Sequence, residues 1–594
     1  MKLKFFFVRS LSTLLMLMLT LVSIVLALAM LFVSAGRSPE INGLNIPFLL
    51  FGDELIPLML FIPALIFRNR ICASAAVLVS FFNIFLRLTA IIIFKESSMP
   101  LDYSALRLLI DHTNADALQA LLGRGFMWWL APLLVIIAAI TGYCSFLTWK
   151  TADKSSRQLS RKSLQIFSFL LCLSVLSNLF YFFIKSNMPS NFIVLRPLPL
   201  AFYNITRDTI SDIYHHNNYS PVALPEKSRQ ILIAMKILSP APTVPEIKKQ
   251  ELPQKFDRII IIATESLDYQ FIAAHNPAMP SGITPNLDRL TKKYPSMKNY
   301  FCAAQPTSWG LNALITSRFD YHRDKYIHVE SIFKLAKLAG FYTCYFSSAP
   351  GRLDSNTEIY KRLFGADHQM FLENWQKKYN YPRENYWGLS DTTLFNGVLQ
   401  ELKKINNPRF LTVISTIDTH EPYHNANLSF LEKEQYQTDF LRALHNTDRA
   451  IGLFVSAIME DKKLYNDRTL IIITADHTAT FGENYLKRPD FTPERIPLIL
   501  ITPQTGVFDK LDLEKYASSI DLPPTLMNLI GSTVPESFMG RDLFSDKDCA
   551  ITWTVNRMIS VHSKDGSFSV NMRDTPQDDT KIAIQDFYRA FYGQ

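Results

Sequence analysis

Apolar residues follow two regimes along this chain. Up to about residue 185 they run in long blocks, and beyond it they break into short runs separated by amphipathic stretches. Five early blocks, roughly 10 to 34, 46 to 66, 71 to 94, 127 to 149 and 164 to 184, are long enough to cross hydrocarbon, which is about 30 Å thick, at about 1.5 Å per residue. The pattern predicts a five-helix transmembrane domain over residues 1–184. Lys2, Lys4 and Arg9 before the first block and Ser34-Ala35-Gly36 after it mimic a signal peptide, but the apolar core is too long for one. The N-terminus, Arg68-Asn69-Arg70 and the loop with Lys150, Lys154, Arg157, Arg161 and Lys162 fall alternately on one side, which their charge marks as cytoplasmic. An odd number of spans then puts everything after about residue 185 outside the cytoplasm.

Residues 185–256 read as a linker. In it Leu200, Phe202, Tyr203, Ile205, Ile210, Ile213 and Tyr214 share one helical face, which either lies on the membrane surface or packs on the outer domain. Pro240, Pro242, Pro245 and Pro253 then stiffen the connection. From there to residue 594 short apolar runs predict strands at Arg258 to Ala263, Tyr342 to Ser347, Phe410 to Ser415, Thr469 to Thr474 and Pro497 to Thr502. Helical spacing covers Ile327 to Ala339, Ser390 to Ile405, Phe440 to Met459 and Ser519 to Leu529. Strands alternating with helices predict an α/β domain over 257–594 with a mostly parallel sheet and helices on both faces. In such a sheet the chemistry gathers beyond the carboxyl ends of the strands.

Composition agrees with a chain of two parts. With 48% hydrophobic residues and a mean hydropathy of +0.08 it is too apolar to be wholly soluble, and its 53 acidic and 61 basic residues exclude a wholly embedded protein. The formal charge of +8 owes much to Lys and Arg between apolar blocks, where they orient the chain, so no nucleic-acid partner is expected. Cys72, Cys144 and Cys172 fall in or beside spans, and Cys302, Cys344 and Cys549 allow at most one intramolecular disulfide outside. These thiols are expected to be mostly buried small hydrophobes. Asp53, Glu54 and Arg87 fall at similar depth in the second and third spans, either as an ion pair between helices or as part of a lipid head-group site.

The strand-end rule selects few polar residues. Glu265 follows the first predicted strand, His420 the third, and Asp476-His477 the fourth. Two carboxylates and an imidazole at one sheet edge are compatible when a divalent cation lies between them, so a metal is expected. Gln305-Pro306-Thr307-Ser308-Trp309-Gly310 precedes an apolar run that reads as a helix, with Thr307 at its N-terminus. A hydroxyl there is either a nucleophile favoured by the helix dipole and a metal, or an ordinary cap.

Together these residues resemble the membrane-anchored alkaline phosphatase and sulfatase superfamily, in its lipoteichoic acid synthase and phosphoethanolamine transferase branch. The resemblance is carried, in order, by Thr-Glu-Ser-Leu at 264 to 267, Thr-Pro-Asn-Leu-Asp-Arg-Leu at 284 to 290, Pro-Thr-Ser at 306 to 308, Trp-Gly-Leu-Ser-Asp at 387 to 391, Asp-Thr-His-Glu-Pro-Tyr at 418 to 423, Ala-Asp-His at 475 to 477 and Asp-Leu-Pro-Pro-Thr-Leu at 521 to 526. It implies one zinc or manganese ion held by Glu265, Thr307, Asp476 and His477, with Thr307 as nucleophile and His420 near the substrate phosphate. Ser308, Trp309 and Arg352 are the corresponding substrate-binding residues. The implied reaction takes the head group of a membrane phospholipid donor onto Thr307, releases diacylglycerol, and passes the group to an envelope glycan or lipid acceptor. The implied location is a bacterial cytoplasmic (inner) membrane, with the catalytic domain on the periplasmic or extracellular side.

The head group stays open between phosphoethanolamine and phosphoglycerol. After the second predicted strand the chain reads Ser347-Ser348-Ala349-Pro350-Gly351-Arg352, without the histidine and tryptophan that lipoteichoic acid synthases carry there. Asp476-His477-Thr478-Ala479 replaces the Asp-His-Gly-Glu of lipid A transferases, and Glu483 and Lys487 are either acceptor-side or simply exposed. Two other classes compete. One is a hydrolase of the same fold, although the Cys/Ser-x-Pro-Ser-Arg signature of sulfatases is absent near 302 to 318. The other is a non-catalytic lipid-binding regulatory protein. A domain of this size folds alone, so stability does not call for an oligomer.

Overall fold

The computed structural model describes residues 222–238 and most of 256–593, with short stretches between 16 and 176. The chain divides into two compact units, Met1–Ile213 and Tyr214–Gln594. In the first, helical pieces bury Met16, Leu58, Ala76 and Val77 against one another and leave Leu21, Val25 and Phe82 exposed. Among the described residues no helix is long and apolar enough to cross a membrane. Most of the five expected spans, Asp53, Glu54 and the apolar face at 200–214 lie outside the described residues; Arg87 is described and buried.

The second unit opens with α1 (Glu226–Ala234), inside the segment expected to be linker. There follow β1 (Arg258–Thr264), α2 (Pro285–Lys293), β2 (Asn299–Phe301), α3 (Thr307–Thr316), α4 (Ile332–Leu338), β3 (Tyr342–Ser347), α5 (Asn356–Leu363), β4 (His368–Met370), α6 (Leu372–Tyr379), α7 (Asp391–Leu402) and β5 (Phe410–Ser415). The chain continues through α8 (Asp439–Glu460), β6 (Thr469–Ala475), β7 (Leu498–Ile501), β8 (Tyr516–Ser518), α9 (Leu522–Ile530), β9 (Ala550–Thr554), β10 (Met558–Ser563), β11 (Gly566–Asn571) and α10 (Asp579–Tyr592).

The main sheet has six strands in the order β4-β3-β5-β1-β6-β7. The first five run parallel, and β7 pairs antiparallel with β6. Ile259–Ile262 and Leu470–Ile473 are fully buried, as central strands covered on both faces must be, which explains their unbroken apolar sequence. The expected parallel α/β sheet is therefore present, its fifth predicted strand reversed. Two smaller sheets complete the unit, a parallel β2–β8 pair and an antiparallel β11-β10-β9 sheet. Cys302, Cys344 and Cys549 are free and buried.

Register fixes the working edge. Thr264 on β1 pairs with Ala475 on β6, so Glu265 and Asp476 leave neighbouring strands side by side. On the other flank Ala263 pairs with Ser415 at the end of β5, ahead of the segment leading to His420.

Candidate metal centre and nucleophile

Glu265, Asp476 and His477 are 1%, 1% and 4% exposed and offer ligand atoms that all lie within 4.8 Å of one another. His477 Nε2 is 3.4 Å from Glu265 Oε1 and 3.7 Å from Asp476 Oδ2. Each side chain is oriented by its neighbours. The Ser266 and His477 amides donate to Asp476 Oδ1 at 3.0 and 2.7 Å, and the Ser266 hydroxyl donates to Glu265 Oε1 at 2.5 Å. The Glu265 amide donates to Thr416 Oγ1 at 3.0 Å, and the Thr419 hydroxyl donates to the Glu265 carbonyl.

Helix α3 brings the fourth group. Its N-cap is Pro306, so Thr307 is the first helical residue and not the cap. The Thr307 hydroxyl donates to Glu265 Oε2 at 3.1 Å and lies 3.2 Å from His477 Nε2. Gly310, one turn on, makes this approach possible: a Cβ there would lie 2.2 Å from the Asp476 carbonyl oxygen.

The donor set fits a cation. Asp476 Oδ2 is buried and accepts no hydrogen bond among the described residues, a costly arrangement for a carboxylate unless a charge faces it. His477 Nδ1 lies 2.7 Å from the Thr478 carbonyl; donation of its proton there leaves Nε2 as the ligating nitrogen. Three oxygen donors with one imidazole suit zinc or manganese.

Electrostatics gives the same picture. Burial, then the neighbouring Glu265 charge, pushes Asp476 up to about 8. Burial also pushes Glu265 up, but the His420 and His477 imidazoles outweigh it and hold that carboxyl at about 2. Burial lowers His477, yet Asp476 and Glu265 overcome it and raise the imidazole to about 9. At neutral pH the cation-free cluster thus holds two protons, one on Asp476 and one on His477, and a divalent ion must displace both. Metal affinity is expected to tighten as pH rises toward 9, by on the order of 100-fold per unit below about 8, tenfold for each proton. Calorimetric titration of the metal-stripped protein with Zn2+ or Mn2+ in buffers of different ionisation enthalpy measures the released protons; a pH-independent affinity contradicts this donor set.

His420 sits beyond β5 with its ring 4.3 Å from that of Trp387. Its loop is fastened by a buried carboxylate pair that sequence reasoning missed. Asp391 Oδ1 accepts the Ile417 and Asp418 amides at 2.9 and 3.2 Å, while Asp418 Oδ2 accepts the Asp391 amide at 2.9 Å. Burial raises Asp391 to about 6, and burial with the Asp391 charge raises Asp418 well above the usual carboxylate range. Gly388 is required here, because a Cβ would lie 2.0 Å from the Ser348 carbonyl oxygen. The Thr-Pro-Asn-Leu-Asp motif has a packing role: Asp448 accepts the Asn286 and Leu287 amides at 3.1 and 2.7 Å and so caps α2.

Of the expected substrate-binding residues, Ser308 is half-buried on the first turn of α3. The Trp309 ring stacks on Trp553 of β9 at 6.4 Å. Arg352, Glu483 and Lys487 lie outside the described residues. Ser266 and Thr419 fall inside the quoted motifs with no role assigned to them, and Thr416 was missed; polar residues just past a strand are common, and no spacing marks out what these three do.

No curated protein sequence matches the chain. Among solved structures, the integral membrane protein lipooligosaccharide phosphoethanolamine transferase A (EptA) from Neisseria meningitidis shares the fold at 12% identity and a TM-score of 0.51, covering 83% of this chain and 96% of that one. An alkaline phosphatase superfamily protein from Vibrio parahaemolyticus is 20% identical, with a TM-score of 0.48 over 62% of this chain and 94% of that one. The lipoteichoic acid synthase LtaP from Listeria monocytogenes is 17% identical, with a TM-score of 0.44 over 61% and 95%. Residues 257–532 match the model of the Sulfatase family. The matched stretch contains the Thr307 hydroxyl, the strand-end carboxylates of Glu265 and Asp476 and the His477 imidazole, so the candidate site lies wholly within the part of the chain that is similar to the Sulfatase family.

Proposed function

We propose that the protein is a metal-dependent transferase that moves a phospholipid head group, phosphoethanolamine or phosphoglycerol, through a phosphothreonine intermediate to an envelope glycan or lipid. One observation carries the reading: the Thr307 hydroxyl lies 3.1 Å from Glu265 and 3.2 Å from His477, beside a buried Asp476 oxygen that no donor satisfies. A nucleophile and a cation's donor set thus coincide. The likeness of fold to EptA over 83% of the chain supports the same reading.

Glu265, Thr307, Asp476 and His477 would hold zinc or manganese, which when bound would lower the pKa of the hydroxyl and offset charge on the phosphoryl oxygens. The protein's own groups do the rest. Thr307 Oγ bonds to phosphorus as the bond from phosphorus to the diacylglycerol oxygen breaks. The threonine proton leaves toward Glu265 Oε2, which already accepts it, and His420 protonates the departing oxygen. In the second half an acceptor hydroxyl attacks the same phosphorus and gives its proton to His420, while the bond from phosphorus to Thr307 Oγ breaks and the proton held at Glu265 returns to that oxygen. The Thr307 and Ser308 amides, in the first turn of α3, would be available as donors to a phosphate there.

The five apolar blocks then have a purpose, as an anchor that holds the domain at the outer face of the inner membrane, where the donor lipid is. Water in place of the acceptor would make the same site a phosphodiesterase, a reading that the sulfatase match keeps in view.

The test is diacylglycerol release by the purified full-length protein from phosphatidylethanolamine and phosphatidylglycerol in parallel. Preference for one lipid is expected, with loss of activity on chelation and recovery on adding back Zn2+ or Mn2+. Release of free head group into water in the presence of acceptor glycolipid would favour the hydrolase, and full activity in metal-free buffer would defeat the site.

A further inference from the structure

The sulfatase match ends at residue 532, yet helix α3 is held at both ends by residues beyond it. At its C-terminal end Ser317 turns left-handed and Arg318 follows, buried and bonded throughout. Its Nε donates to Asp324 Oδ1 at 2.7 Å, its Nη1 to the Ser537 carbonyl at 3.2 Å and its Nη2 to the Phe591 carbonyl at 3.0 Å. The Tyr592 hydroxyl accepts the Phe319 and Asp320 amides, each at 3.0 Å, and its ring lies 4.6 Å from the Arg318 guanidinium. Tyr588, one turn earlier on α10, donates its hydroxyl to Asp320.

The N-terminal end of α3 is reached through a column of rings. Trp309, two residues past Thr307, stacks on Trp553 with an interplanar angle of 11°. Trp553 in turn stacks on Tyr588 at 4.8 Å and 5°. Helix α10 therefore holds the segment that directly follows α3, Arg318 to Asp320, and reaches the first turn of α3 through Trp553. It is itself seated on α1, where Ser228 Oγ donates to Asp586 Oδ2 at 2.6 Å.

We propose that Tyr592 and Trp553 are positioning residues for Thr307: they clamp α3 along its axis, so that the hydroxyl at its first residue keeps its place between Glu265 and His477. The proposal rests on the reading of Thr307 as nucleophile. Neither residue contacts Glu265, Asp476 or His477 through any interaction described above, so each acts through the helix. Among the described residues the Trp553 Nε1–H has no hydrogen-bond partner, so exchange for phenylalanine loses stacking and packing volume but no hydrogen bond.

The experiment uses the full-length protein in bilayer discs of its preferred donor lipid, measuring diacylglycerol release and bound metal per chain. In Tyr592→Phe, which keeps the ring and leaves the Phe319 and Asp320 amides without their acceptor, the thermal midpoint is expected to fall, while kcat per folded molecule falls roughly tenfold to a hundredfold with KM for the lipid and metal content near those of the unsubstituted protein. Trp553→Phe should show the same split and decides the matter if Tyr592→Phe fails to fold. Lys227→Ala, which removes only the exposed Lys227–Asp579 pair, should match the unsubstituted protein. A kcat that falls only in step with lost metal or lost folded protein overturns the proposal, as does an unchanged kcat in both aromatic variants. Thr307→Ala separates the two ideas: if it retains activity the nucleophile itself is wrong, and if it is inactive while both aromatic variants are unimpaired, only the clamp is wrong.

Discussion

Alanine in place of Thr307 is expected to abolish head-group capture while leaving a measurable metal site. The substitution removes the hydroxyl that, alone among the described residues, is placed against both Glu265 and His477, at 3.1 and 3.2 Å. No described neighbour can substitute: the Ser266 hydroxyl is engaged with Glu265, and Ser308 is the next residue around the helix. Loss of a covalent nucleophile lowers turnover by on the order of 10^4-fold or more. Metal affinity falls far less, because Glu265, Asp476 and His477 remain. Mass spectrometry of the peptide containing residue 307, after incubation with phospholipid, checks the first half of this expectation: an adduct on the unsubstituted protein and none on the variant. Thr307→Ser should recover part of the rate, since it restores the oxygen at the same helical position. A Thr307→Ala protein that turns over normally would remove the mechanism.

Gly310→Ala should rank second, and for a mechanical reason. The added Cβ would meet the Asp476 carbonyl oxygen at 2.2 Å, its carbonyl carbon at 2.8 Å and the Ala304 carbonyl oxygen at 3.1 Å. All three are backbone atoms, so no side chain can swing aside and α3 must lift from the end of β6. Overpacking of this kind costs about 1–3 kcal/mol, offset by up to about 1 kcal/mol from the better helix propensity of alanine. The net loss of stability is thus modest, while the loss of rate is not, because displacing a reacting group by about 1 Å can cost 100-fold. The two effects are read separately, from the urea midpoint and from diacylglycerol release per folded molecule. Normal turnover in this variant would mean that Thr307 is held by something other than the contact at Gly310.

How much of this was legible beforehand depended on whether the signal lay within one segment. The central strands announced themselves, because Ile259–Ile262 and Leu470–Ile473 are buried on both faces and admit nothing polar. Glu265, His420, Asp476 and His477 could be picked out because a parallel sheet sends its strand ends to one edge. The reversal of β7 could not be read, since Leu498–Ile501 is as apolar as its parallel neighbours and direction leaves no trace in such a run. The β11-β10-β9 sheet escaped as well: β11 is Gly-Ser-Phe-Ser-Val-Asn, half exposed, and carries little apolar contrast. Gly310 was in view within the threonine motif, but its meaning depends on Asp476, 166 positions away. The clasp between Asp391 and the 417–418 backbone is long-range in the same sense. Residues that work through distant partners look like any buried aspartate or glycine until the partners are in place.

The pairing of Thr264 with Ala475 has one more implication, for the choice of ion. Glu265 and Asp476 continue two neighbouring strands of a hydrogen-bonded ladder whose spacing is about 4.8 Å, so the gap between their backbones is set by the sheet and is nearly incompressible. The Thr307 donor stands on a separate helix that meets the strand across a single glycine. A cation at these donors would meet carboxylates whose backbones the sheet holds at a set spacing and a hydroxyl on a helix braced at Gly310, so a donor cage of this kind would have little room to adjust to ionic radius.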